Sequence, residues 1–305
     1  DVAVTFWNRV TAADLAEQVE IAEAMGFHSF WLPESHFTEA MAIPSPLMVL
    51  TAVASRTSRI RLGSTSYLLP IRHPIQAAEE VAVLDRLSGG RVILGVGRGY
   101  RNSLFTAFDV PVRDKRKQFK QNLEIMIDAW RGEPIAWEDG EPVHLAPLPV
   151  QQPHPPLWVA AFGPLAIKQA GTLGLPYLAS PAETMEALIS KYARHREFAI
   201  ESNQAEIDTI PVMRTLFISD NPRSADRARQ NLAREAVHRM RDPGSDLEQW
   251  AIIGDAVYAK DKLSEYIERL NVTHLIARGR IPGIEHDEQI RSLESLAAIA
   301  DDLAS

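Results

Sequence analysis

The chain has 305 residues, with 32 basic and 40 acidic side chains, a net charge of −8 and no cysteine. That balance disfavours a nucleic-acid-binding or anionic-membrane surface, and the missing cysteine removes disulfides, thiolate metal centres and cysteine nucleophiles. No apolar run is long enough to span a bilayer and no basic-then-apolar leader opens the chain, so the expected location is cytoplasmic; a leader removed ahead of Asp1 stays open.

Val2–Trp7 reads as a first strand. Thr11 and Asp14 form a capping-box pattern ahead of Leu15, Val19, Ala22 and Met25 at helical spacing, and Gly26 is the stop. Phe30-Trp31-Leu32 is a second strand, closed by Pro33. Ser45-Pro46, a cap and a first-turn proline, opens a helix carrying Leu47, Leu50, Val53 and Ala54. Ile60–Gly63 begins a third strand, and a helix with Val81, Leu84 and Leu87 follows Pro74. Ser88-Gly89-Gly90 leads into Val92-Ile93-Leu94, an unbroken apolar run suited to a strand covered on both faces. A helix with Phe119, Leu123, Ile127 and Trp130 follows.

The segment 133–156 interrupts this rhythm. Asp139-Gly140 reads as a hairpin turn and prolines 147, 149, 153, 155 and 156 as a stiff connector. Leu157–Ala161 resumes the alternation. Pro176–Leu178, Ile210–Ile218 and His274–Ala277 are further strands, with helices near 165–174, 182–202, 222–240, 245–270 and 286–303, the break before 245 falling at Asp242-Pro243-Gly244. Eight strands alternating with helices predict an α/β fold, a single (β/α)₈ TIM barrel over 1–305 with an insertion around 133–156. An open doubly wound sheet is the runner-up, but its dinucleotide fingerprint is absent, since Tyr100 stands where the third glycine belongs.

Barrel enzymes place their chemistry just after strands. After the second strand come Glu34, Ser35 and His36. His36 is a candidate acid–base group, or simply a solvated loop histidine. Glu34 and His36 are only two possible metal ligands, so no metal site is expected. Ser64, Thr65 and Ser66 follow the third strand and suit a flat ligand or cap their own turn. Gly95-Val96-Gly97-Arg98-Gly99 ends the fourth. Arg98 fits a phosphate, or is a solvated arginine on a tight turn. After the fifth, Ala161-Phe162-Gly163 opens a helix whose first amides suit an anion, and Arg98 is placed to share it. Arg214, inside an apolar strand, points to the barrel interior, either as an interior ion pair or as a pocket residue. The six tryptophans are scattered, Trp7 among them, and read as core or pocket wall.

Several of these segments resemble one family, the luciferase-like flavin-dependent oxidoreductases. They are Gly26–Phe37, Leu62–Pro74, Ala78–Glu80 with Leu84–Arg91, and Gly95–Gly99, with a weaker collinear match from Pro156 to Thr273–Arg278. The resemblance implies a barrel that binds FMN, or a deazaflavin in one branch, and a monooxygenase that takes reduced FMN from a separate flavin reductase and uses molecular oxygen on a small organic substrate. It assigns Arg98, Gly99, Tyr100, Ala161, Phe162 and Gly163 to the cofactor together with Ser64, Thr65 and Ser66, and places a non-proline cis peptide at Thr65–Ser66. It assigns catalysis to His36 and Glu34, makes Ser35, Trp7 and Arg214 pocket residues, and implies a homodimer through the second and third helices. Ser35 replaces the first histidine of the luciferase pair and Ala161 an acidic residue near the phosphate. The alternatives are a deazaflavin-dependent hydride-transfer enzyme and a non-catalytic flavin-binding protein.

Overall fold

The computed structural model describes residues 1–7, 12–37, 42–236 and 246–304. In chain order the elements are β1 (Val2–Thr5), α1 (Ala12–Ala24), β2 (Ser29–Leu32), α2 (Pro46–Ala54), β3 (Arg61–Ser64), β4 (Tyr67–Leu68), α3 (Pro74–Leu87), β5 (Val92–Gly97), α4 (Asn102–Ala107) and α5 (Lys115–Trp130). There follow β6 (Pro134–Glu138), β7 (Glu141–His144), β8 (Leu157–Ala160), α6 (Pro164–Thr172), β9 (Tyr177–Leu178), α7 (Met185–Glu201), β10 (Pro211–Ile218), α8 (Pro222–Ala236), β11 (Ala251–Gly254), α9 (Ala256–Leu270), β12 (His274–Arg278) and α10 (His286–Ala304). Two compact units result: 1–31 with 161–305, and 32–160.

In the unit of 32–160, β5 lies between β3 and β8, parallel to both, and also pairs with β4. All six β5 residues are buried, which is why its sequence shows no polar alternation. The α5 helix turns Phe119, Leu123, Met126 and Trp130 inward at three- and four-residue intervals, and the Trp130 indole donates to Ala78 O at 3.0 Å. Arg91 ties the start of β5 to the end of α2, its guanidinium donating to Ala54 O, Thr57 O and Ile60 O. Hairpin β6–β7 turns at Asp139 and Gly140, both at positive φ. The proline connector is anchored by Gln151, whose side-chain and backbone N–H groups donate to the buried Asp85 carboxylate.

The other unit contains a parallel array in the order β11-β10-β12-β1-β2. Asp255 caps α9 by accepting from Tyr258 N at 2.8 Å, and Asn271 ends it in the left-handed region.

Four expectations change. The run 245–270 is not one helix: a single 3₁₀ turn (Leu247–Gln249) precedes strand β11, whose branched Ile252 and Ile253 are buried beside β10. Two short elements, β4 and α4, lie in stretches where no element was expected. Ser45 occupies the cap position of α2 without a side-chain capping bond. The described residues hold twelve strands where ten were expected, eight alternating with helices and two in the hairpin; β4 and β11 are the additions. Thr11 and Asp242–Gly244 lie outside the described residues.

Candidate active site

Strand β5 ends in a crowded, cationic corner. A Cβ on Gly97 would stand 1.9 Å from Ser66 Oγ, so only glycine lets β5 pass the Thr65–Ser66 turn, whose peptide is cis. Ser64 Oγ donates to Gly95 O at 2.8 Å, which fastens that turn to β5. Gly99 sits at φ +69, with Leu104 and Phe105 closing over it. Between these glycines Arg98 is half-buried and makes no hydrogen bond or ion pair among the described residues. Burial, and then the neighbouring Arg116, push its guanidinium below its usual pKa. Lys115 is lowered by burial and by both arginines. Lys115 and Arg116 open α5, where the helix dipole disfavours cations. Clustered like charges at a helix start are what an added anion would relieve.

The segment after β2 builds a second feature. Glu34 Oε1 accepts from Arg72 Nη1 at 2.8 Å and lies 2.6 Å from His36 Nε2, while Oε2 accepts from Leu68 N at 2.9 Å. The carboxylate is wholly buried and the His36 side chain 8% exposed. Arg72 also donates to Leu68 O and lies 3.9 Å above the Tyr67 ring. Tyr67 donates to Glu80 Oε2 at 2.8 Å, and burial raises its pKa. Phe108 meets the His36 ring edge-on at 5.3 Å. A cleft of about 340 Å³ lies here, lined in part by His36, Tyr67, Arg72, Glu80 and Phe108.

The remaining predicted residues fall variously. Ser35 Oγ accepts from Ile43 N at 3.1 Å, and its backbone pairs with Ile43 in both directions; it closes its loop. Tyr100 is 75% exposed, beneath the Arg101 guanidinium. Ala161, Phe162, Gly163, Trp7 and Arg214 belong to the other unit. There Gly163 precedes α6 with open space around it, and Lys191 lies over the Phe162 ring. Trp7 is buried, its backbone N–H donating to Gln18 Oε1 at 2.9 Å. Arg214 is fully buried, but the interior ion pair expected of it is not seen among the described residues. Its Nε donates to the Tyr266 hydroxyl at 2.5 Å and Nη1 to Met213 O at 2.8 Å, while Nη2 has no partner. A phenol hydroxyl and a carbonyl bind part of a buried guanidinium without bringing in a second charge.

Arg72, Lys115 and Arg116 were missed by sequence reasoning. A signal was present for the last two: a basic run, Lys115-Arg116-Lys117, opening a helix. Nothing near Arg72 in sequence points to Glu34.

A family model described as luciferase-like monooxygenase matches residues 5–274. The oxygenase component of flavin-dependent trigonelline monooxygenase from Acinetobacter baylyi is 28% identical over 220 residues, 70% of this chain and 61% of that protein. The matches reach 42 to 61% of the length of the first curated relatives. Among solved structures, the monooxygenase RslO1 from Streptomyces bottropensis superposes with a TM-score of 0.84 at 22% identity, covering 100% of both chains. A coenzyme F420 dependent tetrahydromethanopterin reductase from Methanopyrus kandleri superposes with a TM-score of 0.73 at 21% identity, over 97% of this chain and 96% of that one. The chain shares their α/β fold, and among the described residues no helix is long and apolar enough to cross a membrane.

Proposed function

The chain belongs to the luciferase-like monooxygenase family, and from that premise we propose that it acts as the oxygenase of a two-component system. In this reading it adopts a (β/α)₈ barrel, takes reduced FMN from a separate flavin reductase and oxidises a small organic substrate with O₂. The observation that carries it is the Arg98 corner, a half-buried guanidinium without a partner among the described residues, beside Lys115 and Arg116 at a glycine-lined strand end. The residues fit the cofactor: the half-buried Arg98 guanidinium and the cations beside it suit a phosphate, and Gly97 lets the Thr65–Ser66 turn close up against the same strand end. Arg98, Lys115 and Arg116 would hold the phosphate, with Ser64, Thr65, Ser66 and Gly99 beside them. Apart from these, the open start of α6 at Ala161–Gly163 offers amide donors for an anion. Bound reduced FMN would supply two electrons, so that one atom of O₂ enters the substrate and the other leaves as water.

This chain's own groups manage the proton. Glu34 holds His36 through Nε2, which leaves Nδ1 to accept or hand over a proton. Arg72 and Leu68 N fix the carboxylate in turn, and Phe108 shields one edge of the imidazole from water. Exposed Met48 on α2 and Val83 and Leu87 on α3 support a homodimer through those helices. A monomer mass by light scattering would rule that out.

A deazaflavin-dependent hydride-transfer enzyme is the second reading, supported by the fold shared with the F420 dependent reductase. The deciding experiment titrates the protein with FMN, reduced FMN and reduced F420 while recording O₂ uptake. Uptake that requires reduced FMN supports the monooxygenase. Tight binding of reduced F420 with no O₂ uptake assigns hydride transfer. Flavin binding with neither reaction leaves a flavin carrier.

A further inference from the structure

Three side chains far apart in sequence meet where β1, β2 and β12 begin. The parallel register sets Val2 beside Leu275 and Ala3 beside Ser29, so His274 comes level with Asp1 and His28 with Val2, one residue further along. Backbone bonds hold that register: Leu275 N donates to Asp1 O at 3.0 Å and His28 N to Val2 O at 2.8 Å. Asp1 Oδ2 lies 3.1 Å from His274 Nε2 and 3.8 Å from His28 Nε2. The two imidazoles meet edge-on with centroids 5.4 Å apart, and one ligand atom from each of the three residues falls within 4.8 Å of the others.

The second nitrogen of each ring is also fixed. His28 Nδ1 lies 3.2 Å from Ser29 Oγ, and His274 Nδ1 lies 2.9 Å from Thr273 Oγ1. Each hydroxyl is itself pinned by a donor, Trp31 Nε1 on Ser29 and Ile210 N on Thr273. Both rings are thereby turned with Nε2 toward one carboxylate. Outer partners of this kind orient histidine ligands at metal centres.

We propose that Asp1, His28 and His274 form a site for a divalent first-row transition cation such as Zn²⁺, with water completing the coordination. Bonds of about 2.0–2.2 Å in a tetrahedral array place donor atoms about 3.3–3.6 Å apart. The two Asp1 separations, 3.1 and 3.8 Å, bracket that spacing. Two imidazoles and one carboxylate suit Zn²⁺, Co²⁺ or Ni²⁺; Mg²⁺ and Ca²⁺ prefer oxygen donors throughout. The cation would clamp the starts of three strands. The site lies at the opening end of β2, whereas Glu34 and His36 follow its closing end, so the proposal does not depend on the flavin reading.

The test is calorimetric titration of Zn²⁺ into the full chain, compared with Asp1→Asn, His28→Gln, His274→Gln and, as a control, His144→Gln, an exposed histidine on β7. The expected result is one Zn²⁺ per chain, with affinity reduced about tenfold or more in each of the three ligand variants and unchanged in the control. Asp1→Asn alters an exposed side chain and keeps the strand bonds, so its result stands even if a histidine variant fails to fold. An absence of one-to-one binding, or equal affinity in wild type and Asp1→Asn, overturns the proposal and leaves a histidine–carboxylate ion pair.

Discussion

Replacing Glu34 with glutamine tests whether the buried carboxylate organises the rim. Glutamine has the same shape but only one oxygen. With that oxygen facing Arg72 and His36, the amide NH₂ meets Leu68 N–H, donor against donor. Flipped, the NH₂ meets the Arg72 guanidinium, which carries donors only. Either way a donor now bound to Glu34 at 2.8 or 2.9 Å is stranded. A lost hydrogen bond to a charged group costs about 1.5–3 kcal/mol, and breaking a buried ion pair about 3–5 kcal/mol. Arg72 keeps Leu68 O and the Tyr67 face, and its side chain is 18% exposed, so the expected loss is about 3 kcal/mol. With a urea m-value of about 3 kcal/mol per molar, the midpoint should fall by about 1 M at unchanged slope. Glu34→Gln combined with Arg72→Met should destabilise by less than the sum of the single changes, since both remove one interaction. A Glu34→Gln variant within about 0.5 kcal/mol of wild type, the usual range for an uninvolved surface change, would refute the reasoning.

Arg98→Ala should weaken FMN binding by about 1.5–3 kcal/mol yet leave riboflavin, which lacks the phosphate, unaffected; equal losses for both in a fluorescence titration would remove Arg98 from the phosphate. Gly97→Ala drives a methyl into Ser66 Oγ and should destabilise by about 1–3 kcal/mol, with Ser66→Gly restoring much of it in urea unfolding. His36→Ala should leave FMN affinity within about threefold, yet lower coupled substrate oxidation about 10²-fold or more, as for other lost acid–base groups; single-turnover mixing of reduced-FMN enzyme with O₂ and substrate measures it. The buried His195, which donates to Leu175 O at 2.9 Å, has its pKa lowered chiefly by burial. The unfolded chain therefore binds the extra proton first: this contribution to stability is intact above about pH 6.5 and declines as pH falls toward the lowered native value. His195→Gln should flatten the melting temperature between about pH 5 and 7, and an unchanged slope in thermal unfolding counts against it.

Local patterns determined much of this molecule. The unbroken Val92–Leu94 run marked a strand buried on both faces, the inward residues of α5 followed a helical period, and Asp139-Gly140 specified a hairpin because its positive φ values suit those residues. Glu34 with His36, and Arg98 among its glycines, were legible because each group lies within a few residues of a strand end. Short elements were not. Ala251–Gly254 is a four-residue apolar run that fits a helix as well as a strand until its pairing with β10 decides, and Tyr67–Leu68 is too brief to show a period. Distant meetings were also beyond reach. Arg72 joins Glu34, Lys115 and Arg116 approach Arg98, and Asp1, His28 and His274 converge, through turns, helix packing and strand register. The reason is physical: side-chain periodicity encodes the local backbone and the face a residue presents. Which remote groups share that face depends on how the elements pair, and only the folded chain settles it.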